Sequence, residues 1–342
     1  MDFKKMTNNA LYFPFISLPH DAWSVRALLY WDELSTIVPM MTLEEPDELS
    51  FFMQGLLSER LVRPVVPGHY LHRCPNFSEN FITYIEKKYR GGYFARQPTQ
   101  LGYKRVHAEK LEDVPNFLCK QGLAFEVDRG WYDLREDIAD DFMFYLAGCL
   151  GAMKGVDAIP LTDGKGFARR NWSNPSADAT PHLNKARQVI LNNILPAPAE
   201  SVTVEQLLRF RQEHGHLLPK FRYAVEKHCI AVAGMSNASL RAASTVSFID
   251  ECKFDLKEIE EAMRPSFGKI VFTSLLPLLS AGVSFNGEGG ARDYAAGAMT
   301  LATAIYGTVS VVKEARKLSP LQPLAYVANA REFFENRSYV PT

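Results

Sequence analysis

Through the first 170 positions, apolar residues gather in short runs between turn residues, and their spacing alternates between that of strands and that of helices. Leu11 to Leu18 (LYFPFISL) is aromatic and β-branched, the make-up of a buried strand, with Pro14 pointing to an edge or a bulge. Asp21 stands at an N-cap position ahead of AWSVRALLYW, where Trp23, Ala27, Tyr30 and Trp31 recur at helical spacing. A short strand at Leu34 to Val38 follows and ends at Pro39. The alternation continues with a helix at Leu49 to Leu61, a strand at Val62 to Val66 and a helix at Ser78 to Tyr89. A loop rich in Gly, Pro and Gln then leads from Gly91 towards Arg105.

Leu111 to Gly122 predicts a helix, and LAFEV and WYDL, on either side of Asp128, Arg129 and Gly130, predict a tight hairpin. That shape is shared with the last helix and wing of winged-helix domains, but no basic recognition helix accompanies it. The apolar helix Ile138 to Met153 comes next, and Asp157 to Gly166 reads as a Gly/Asp loop. The expectation for 1–170 is an α/β, or α+β, module. Prolines and small polar residues around one short helix, His182 to Ile194, make 171–200 a linker region.

Over 201–342 the spacing predicts a mainly α-helical module. Val202 to Ala233 reads as one long helix, GMSNAS as a break and Leu240 to Met263 as a second helix, together a long antiparallel helical hairpin. Two charge-free segments follow, Ile270 to Phe285 and Tyr294 to Val312, separated by the polar turn NGEGGARD. Arg264 and Lys269 flank one side, and Lys313, Arg316 and Lys317 the other, as the positive-inside rule expects of a hairpin with both ends in the cytoplasm. The first segment is shorter than the roughly 20 residues of a span and contains Pro277. The apolar hairpin 270–312 therefore has two readings, insertion in a membrane or burial in a soluble bundle or oligomer interface.

Composition narrows the function classes. A net charge of −1 over 342 residues argues against nucleic acid as the main ligand. Cys74, Cys119, Cys149, Cys229 and Cys252 are scattered and odd in number, the pattern of reduced thiols in a cytosolic chain. The polar start, Met1 to Asn9, lacks the apolar core of a signal peptide. The expected compartment is the cytoplasm, with inner-membrane association if the apolar hairpin inserts.

LYFPFISL followed by DAWSVRALLYWDELSTIVP resembles the opening of a family of uncharacterised bacterial proteins, which begin with an LYYP-type strand and an ALLYWD helix. IPLTD at Ile159 to Asp163 and the FRQEH helix ending at His214 are also similar to that family. The resemblance implies a bacterial origin and assigns no catalytic role to any residue.

Several residue groups are candidates for chemistry. His69, His72 and Cys74 (HYLHRC) form the close cluster of soft metal ligands, but zinc would need a further ligand from elsewhere. Asp32, beside Glu33, sits at a helix-to-strand junction; the other acidic pair is Asp140–Asp141. Asp163, Lys165 and Arg169, in the loop LTDGKGFARR, carry mixed charges around glycines and suit a phosphate, although the loop matches neither the P-loop nor the Rossmann pattern. G-x-S-x-G, H-E-x-x-H, C-x-x-C and the kinase signature are absent, and no cofactor is expected.

The leading expectation is a non-enzymatic bacterial interaction protein. Its α/β half would serve as a recognition platform and its helical half as an oligomerising or membrane-directed arm. A protein partner or self-association is expected, with membrane contact through Ile270 to Val312. The alternatives are a hydrolase acting on nucleic acid or a phosphorylated small molecule, and a structural subunit of a soluble homo-oligomer.

Overall fold

The structure is a computed structural model, and it describes residues 8–89, 102–163, 180–198, 202–262 and 323–335. The chain divides into two units, Met1–Trp172 and Ser173–Thr342. The first is mixed α/β and the second helical, as the apolar spacing predicts. The predicted apolar hairpin 270–312 lies outside the described residues.

The first unit opens with β1 (Asn9–Tyr12), α1 (Ala22–Tyr30), β2 (Glu33–Ile37), a short α2 (Met40–Glu44), α3 (Phe51–Ser58) and β3 (Val62–Val65). These strands are parallel, and a fourth, β7 (Ile159–Leu161), joins the far side of β1 to give the order β3-β2-β1-β7. In this register Tyr12 stands opposite Thr36 on one neighbour and Leu161 on the other. β7 falls inside the segment that the sequence reads as a loop. Three residues are too few to show a strand period, and Pro160 argues against a strand on propensity alone. β1 also ends earlier than LYFPFISL predicts: the Phe13–Pro14 peptide is cis, and the chain turns away there.

Between β3 and β7 lies an inserted group: α4 (Phe77–Tyr89), β4 (Tyr103–His107), α5 (Ala108–Leu111), α6 (Val114–Lys120), β5 (Ala124–Asp128), β6 (Trp131–Arg135) and then α7 (Glu136–Gly151). β4, β6 and β5 form an antiparallel sheet in that order. The predicted hairpin is β5–β6, turning at Gly130 with φ +76°, a conformation that glycine adopts without strain. Helix, strand, two helices and a hairpin whose last strand pairs with the first is the connectivity of a winged helix. The predicted single helix over Leu111 to Gly122 is instead two, because Glu112 takes φ +46° and Pro115 begins a new first turn. Glu112, Asp113, Asn116 and Lys120 are exposed on or beside α6, a surface without the positive charge that phosphate contacts need.

Both faces of the parallel sheet are covered. Leu11, Phe13, Ile37 and Val65 share a core with Phe81 and Ile85 of α4, Leu118 of α6 and Phe142 and Leu146 of α7. Ala10 and Tyr12 alternate to the other face, where Tyr12 meets Trp23 of α1 and where α1 and α3 lie over β2 and β3. Full burial of each large apolar side chain contributes about 1.5–3 kcal/mol, so the sheet is fixed from both sides. β7 reaches its place because α7 ends in Gly151: the Ala158 amide donates to the Gly151 carbonyl at 3.0 Å, and a Cβ at Gly151 would stand 2.4 Å from the Ala158 carbonyl oxygen.

The second unit contains α8 (Thr180–Ile194), α9 (Val204–His214), α10 (Leu218–Ala233), α11 (Ala238–Ala262) and α12 (Ala325–Glu335). α8 is no isolated linker helix, since it packs against α10 and α11. α9 starts on a capping box: the Thr203 hydroxyl accepts from the Gln206 amide, and the Gln206 side chain accepts from the Thr203 amide at 2.8 Å. The predicted long helix is broken at Gly215–Leu217, and Pro219, which lacks an amide proton, falls in the first turn of α10, where that proton is not needed. Phe210 of α9 lies against Tyr326, Phe333 and Phe334 of α12. Arg187 of α8 donates to both carboxylate oxygens of Glu226 on α10, at 2.5 and 2.7 Å, in a buried pair.

Two substitutions test this packing by urea denaturation. Gly151→Ala forces β7 off its contact with α7 and is expected to cost about 1–3 kcal/mol of unfolding free energy. Glu226→Ala removes the carboxylate that neutralises the buried Arg187 guanidinium, with an expected loss of about 3–5 kcal/mol.

Candidate functional site

Strand order sets where a site can form. From β1 the chain winds outward to β2 and β3, then returns on the opposite side of β1 to place β7. Strand order thus reverses between β1 and β7, and such a reversal is where open α/β sheets bind ligands at the carboxyl ends of the strands. A cleft of about 550 Å³ lies there, within the size range of small-molecule sites.

Its floor is Tyr12, the last residue of β1, and Asp163, two positions beyond β7. The Tyr12 hydroxyl donates to Asp163 Oδ1 at 3.1 Å. Burial raises the Tyr12 phenol pKa far above its ordinary value, and the charges of Asp163 and Asp21 push it the same way. The phenol therefore keeps its proton as a fixed donor. The walls are aromatic. Phe15 is 56% exposed, and Phe51, the first residue of α3, is 91% exposed. The imidazole of His20 stacks on Phe52 at 3.9 Å between centroids, with ring planes 9° apart.

Local sequence explains each placement. Pro14 and Pro19 shape the β1–α1 loop that carries Phe15, Ser17 and His20. Asp21 caps α1 by accepting from the Ser24 amide at 3.0 Å, and Ser50 caps α3 by accepting from the Met53 amide at 3.3 Å. Both helix starts beside the cleft are thus occupied by the chain's own side chains. Elsewhere on the carboxyl edge, Glu109 of α5 accepts from the Met40 amide at 2.7 Å and the Gly68 amide at 3.4 Å, in the segments that follow β2 and β3. That stretch of the edge is closed by the inserted unit.

Among the sequence candidates, Asp163 alone is placed in the cleft. Lys165 and Arg169 lie outside the described residues. Asp32 precedes β2, its amide donating to the Asn8 carbonyl at 3.0 Å, so it sits at the amino edge of the sheet, opposite the cleft. Asp140 pairs with Lys104 at 2.6 Å and Asp141 with Lys88. His69 and His72 are exposed on successive 3₁₀ turns, with His72 accepting from Arg73 at 3.2 Å, whereas Cys74 packs against the core. Among the described residues no three His, Cys, Asp or Glu side chains gather to hold a metal ion. All five cysteines are free, and burial pushes the Cys149, Cys229 and Cys252 thiols up to about 12.

No family model matches the chain, and no curated protein or solved structure matches it either. Residue roles at the cleft therefore rest on its geometry. Tyr12, Phe15, His20 and Phe51 are not among the candidates that the sequence offers. The signal available was a strand ending in aromatics and prolines just before a capped helix, but its meaning depends on β7 lying alongside.

The buried tyrosines make stability pH-dependent. Tyr12, Tyr89 and Tyr145 all have raised pKa values, burial being the largest cause for each. A group protonated more firmly when folded stabilises the fold below its unfolded pKa, here about 10, and loses that contribution as pH rises further. The buried Cys149, Cys229 and Cys252 thiols behave in the same way from about pH 9, so the urea midpoint is expected to fall from about pH 9 and more steeply beyond about 10. Tyr12→Phe should cost about 0.5–1.5 kcal/mol at neutral pH through the lost bond to Asp163, and make the alkaline fall shallower.

Proposed function

We propose that the first unit is a recognition platform that binds a small organic molecule in the cleft between β1 and β7, and that the protein acts by binding rather than by catalysis. The observation that carries this reading is the coincidence of an aromatic-walled cleft with the reversal in strand order. Concave, mostly apolar sites with a few convergent polar groups are the common form of small-molecule sites. A large side chain as exposed as Phe51 at such a mouth further supports an occupant.

A hydrolase reading has less support. It would draw on Asp32 or the loop from Asp163 to Arg169, and Asp32 lies at the other edge of the sheet. The Tyr12 phenol holds its proton too firmly to exchange it near neutral pH.

For the second unit we propose the role of an oligomerising arm built on α10 and α11, a helical hairpin that pairs with a second copy of the chain. Tyr223 and Ile230 on α10, and Val246 and Phe254 on α11, leave apolar side chains exposed. Spacings of seven and eight residues keep each pair on one side of its helix. Among the described residues no helix is long and apolar enough to cross a membrane.

A thermal-shift screen of a diverse metabolite library against the full chain tests the platform reading. At least one compound is expected to raise Tm in the wild type and to lose its effect in Phe51→Asp, which changes an exposed ring and leaves the core intact. A screen without any stabilising compound, or stabilisation that survives Phe51→Asp, overturns the reading.

A further inference from the structure

The charges and rings around the cleft point to the class of its ligand. Asp163 lies at the floor, and among the described residues its hydrogen bond is to Tyr12 alone, through Oδ1, which leaves Oδ2 available to a donor on an incoming molecule. Asp21 is close enough for its charge to act on Tyr12. No lysine or arginine is among the described residues lining the cleft, and the one basic side chain there, His20, is laid flat against Phe52. An anion would need positive charge, and among the described lining residues no lysine or arginine offers it. Asp21 and Ser50 cap the two helix starts, and the capping carboxylate adds a further negative charge.

A cation meets the opposite situation. Aromatic faces attract an ammonium through their quadrupoles, most strongly where water is partly excluded, and the exposed rings of Phe15 and Phe51 line the same cleft as Asp163. A carboxylate at the base of an aromatic wall pairs charge with a charge-assisted hydrogen bond. The β1–α1 loop contains no glycine, so backbone amides cannot close around a pyrophosphate as they do after the first strand of dinucleotide-binding sheets.

Resting on the cleft reading above, we propose that the site takes an arylalkyl amine, with its ammonium on Asp163 beside the Tyr12 hydroxyl and its ring against Phe15 and Phe51. The ligand is thus a small aromatic base and not a phosphorylated metabolite.

Three probes of one shape separate the terms: 2-phenylethylamine, 2-phenylethanol and phenylacetate, each titrated into the full chain by isothermal calorimetry at neutral pH. The amine is expected to bind at least tenfold more tightly than the alcohol, with phenylacetate weakest. Asp163→Asn, which keeps the side-chain shape, should weaken the amine far more than the alcohol and so remove the advantage of the amine. Phe51→Ala should weaken both. Equal or tighter binding of the alcohol or the acid, still sensitive to Phe51→Ala, overturns the amine proposal and leaves the cleft reading standing. Absence of binding by all three, or binding indifferent to both substitutions, overturns the proposal and the cleft reading together. The wild-type comparison of probes decides the charge preference even if a variant folds poorly.

Discussion

β1 has no face that it can leave to water. Ala10, Leu11 and Tyr12 are fully buried and Phe13 nearly so, which means that a strand is required on each side and a helix layer on each surface. The first neighbour comes at once, through α1 and β2. The second, β7, is delivered only after the whole inserted helix and hairpin group, and it arrives because α7 ends in a glycine that lets its last turn touch the Ala158 backbone. Strand order follows from these demands: β2 and β3 fill one side and β7 the other. The cleft is a consequence of burying β1, not an addition to it.

The carboxyl edge of the sheet is finished differently along its length. Over β2 and β3 it is sealed by Glu109, whose carboxylate takes up the Met40 and Gly68 amides and so supplies the negative partner that exposed amides favour. Between β1 and β7 no such stopper stands among the described residues. The two helix starts there are satisfied locally by Asp21 and Ser50, so closing the sheet does not require filling the cleft. Large rings exposed at its mouth are then costly unless something covers them.

Local pattern made much of the first unit legible: the caps at Asp21 and Ser50, the β5–β6 hairpin around Gly130, and the strands at β2 and β3 all coincide with turn residues or apolar runs. What stayed hidden depends on distant partners. β7 is three residues long, contains a proline, and is a strand only because β1 offers it hydrogen bonds. β4 was obscured in the same way, since YKRVH carries little apolar signal until β6 pairs with it. In the second unit, amphipathic spacing ran on through Gly215 and Pro219, where the backbone breaks, because periodicity records which side is buried and not whether the helix is continuous. Of the candidate site, Asp163 stood out through its charged loop. Tyr12 did not, because an aromatic residue ending a strand looks like core until the acid beside it is known.

Whether such a cleft binds or transforms its occupant turns on proton affinity. A general acid or base works best with a pKa near the operating pH, so that it spends time in both states. Tyr12 is driven the other way by three agents that add: its burial, the Asp163 carboxylate that accepts its hydrogen bond, and the more remote Asp21. Each holds the proton on oxygen more firmly. The geometry therefore makes Tyr12 an orienting donor that holds one oxygen of Asp163. Under the proposed reading, an acid held in that way recognises the charge and shape of a bound molecule, as a receptor does.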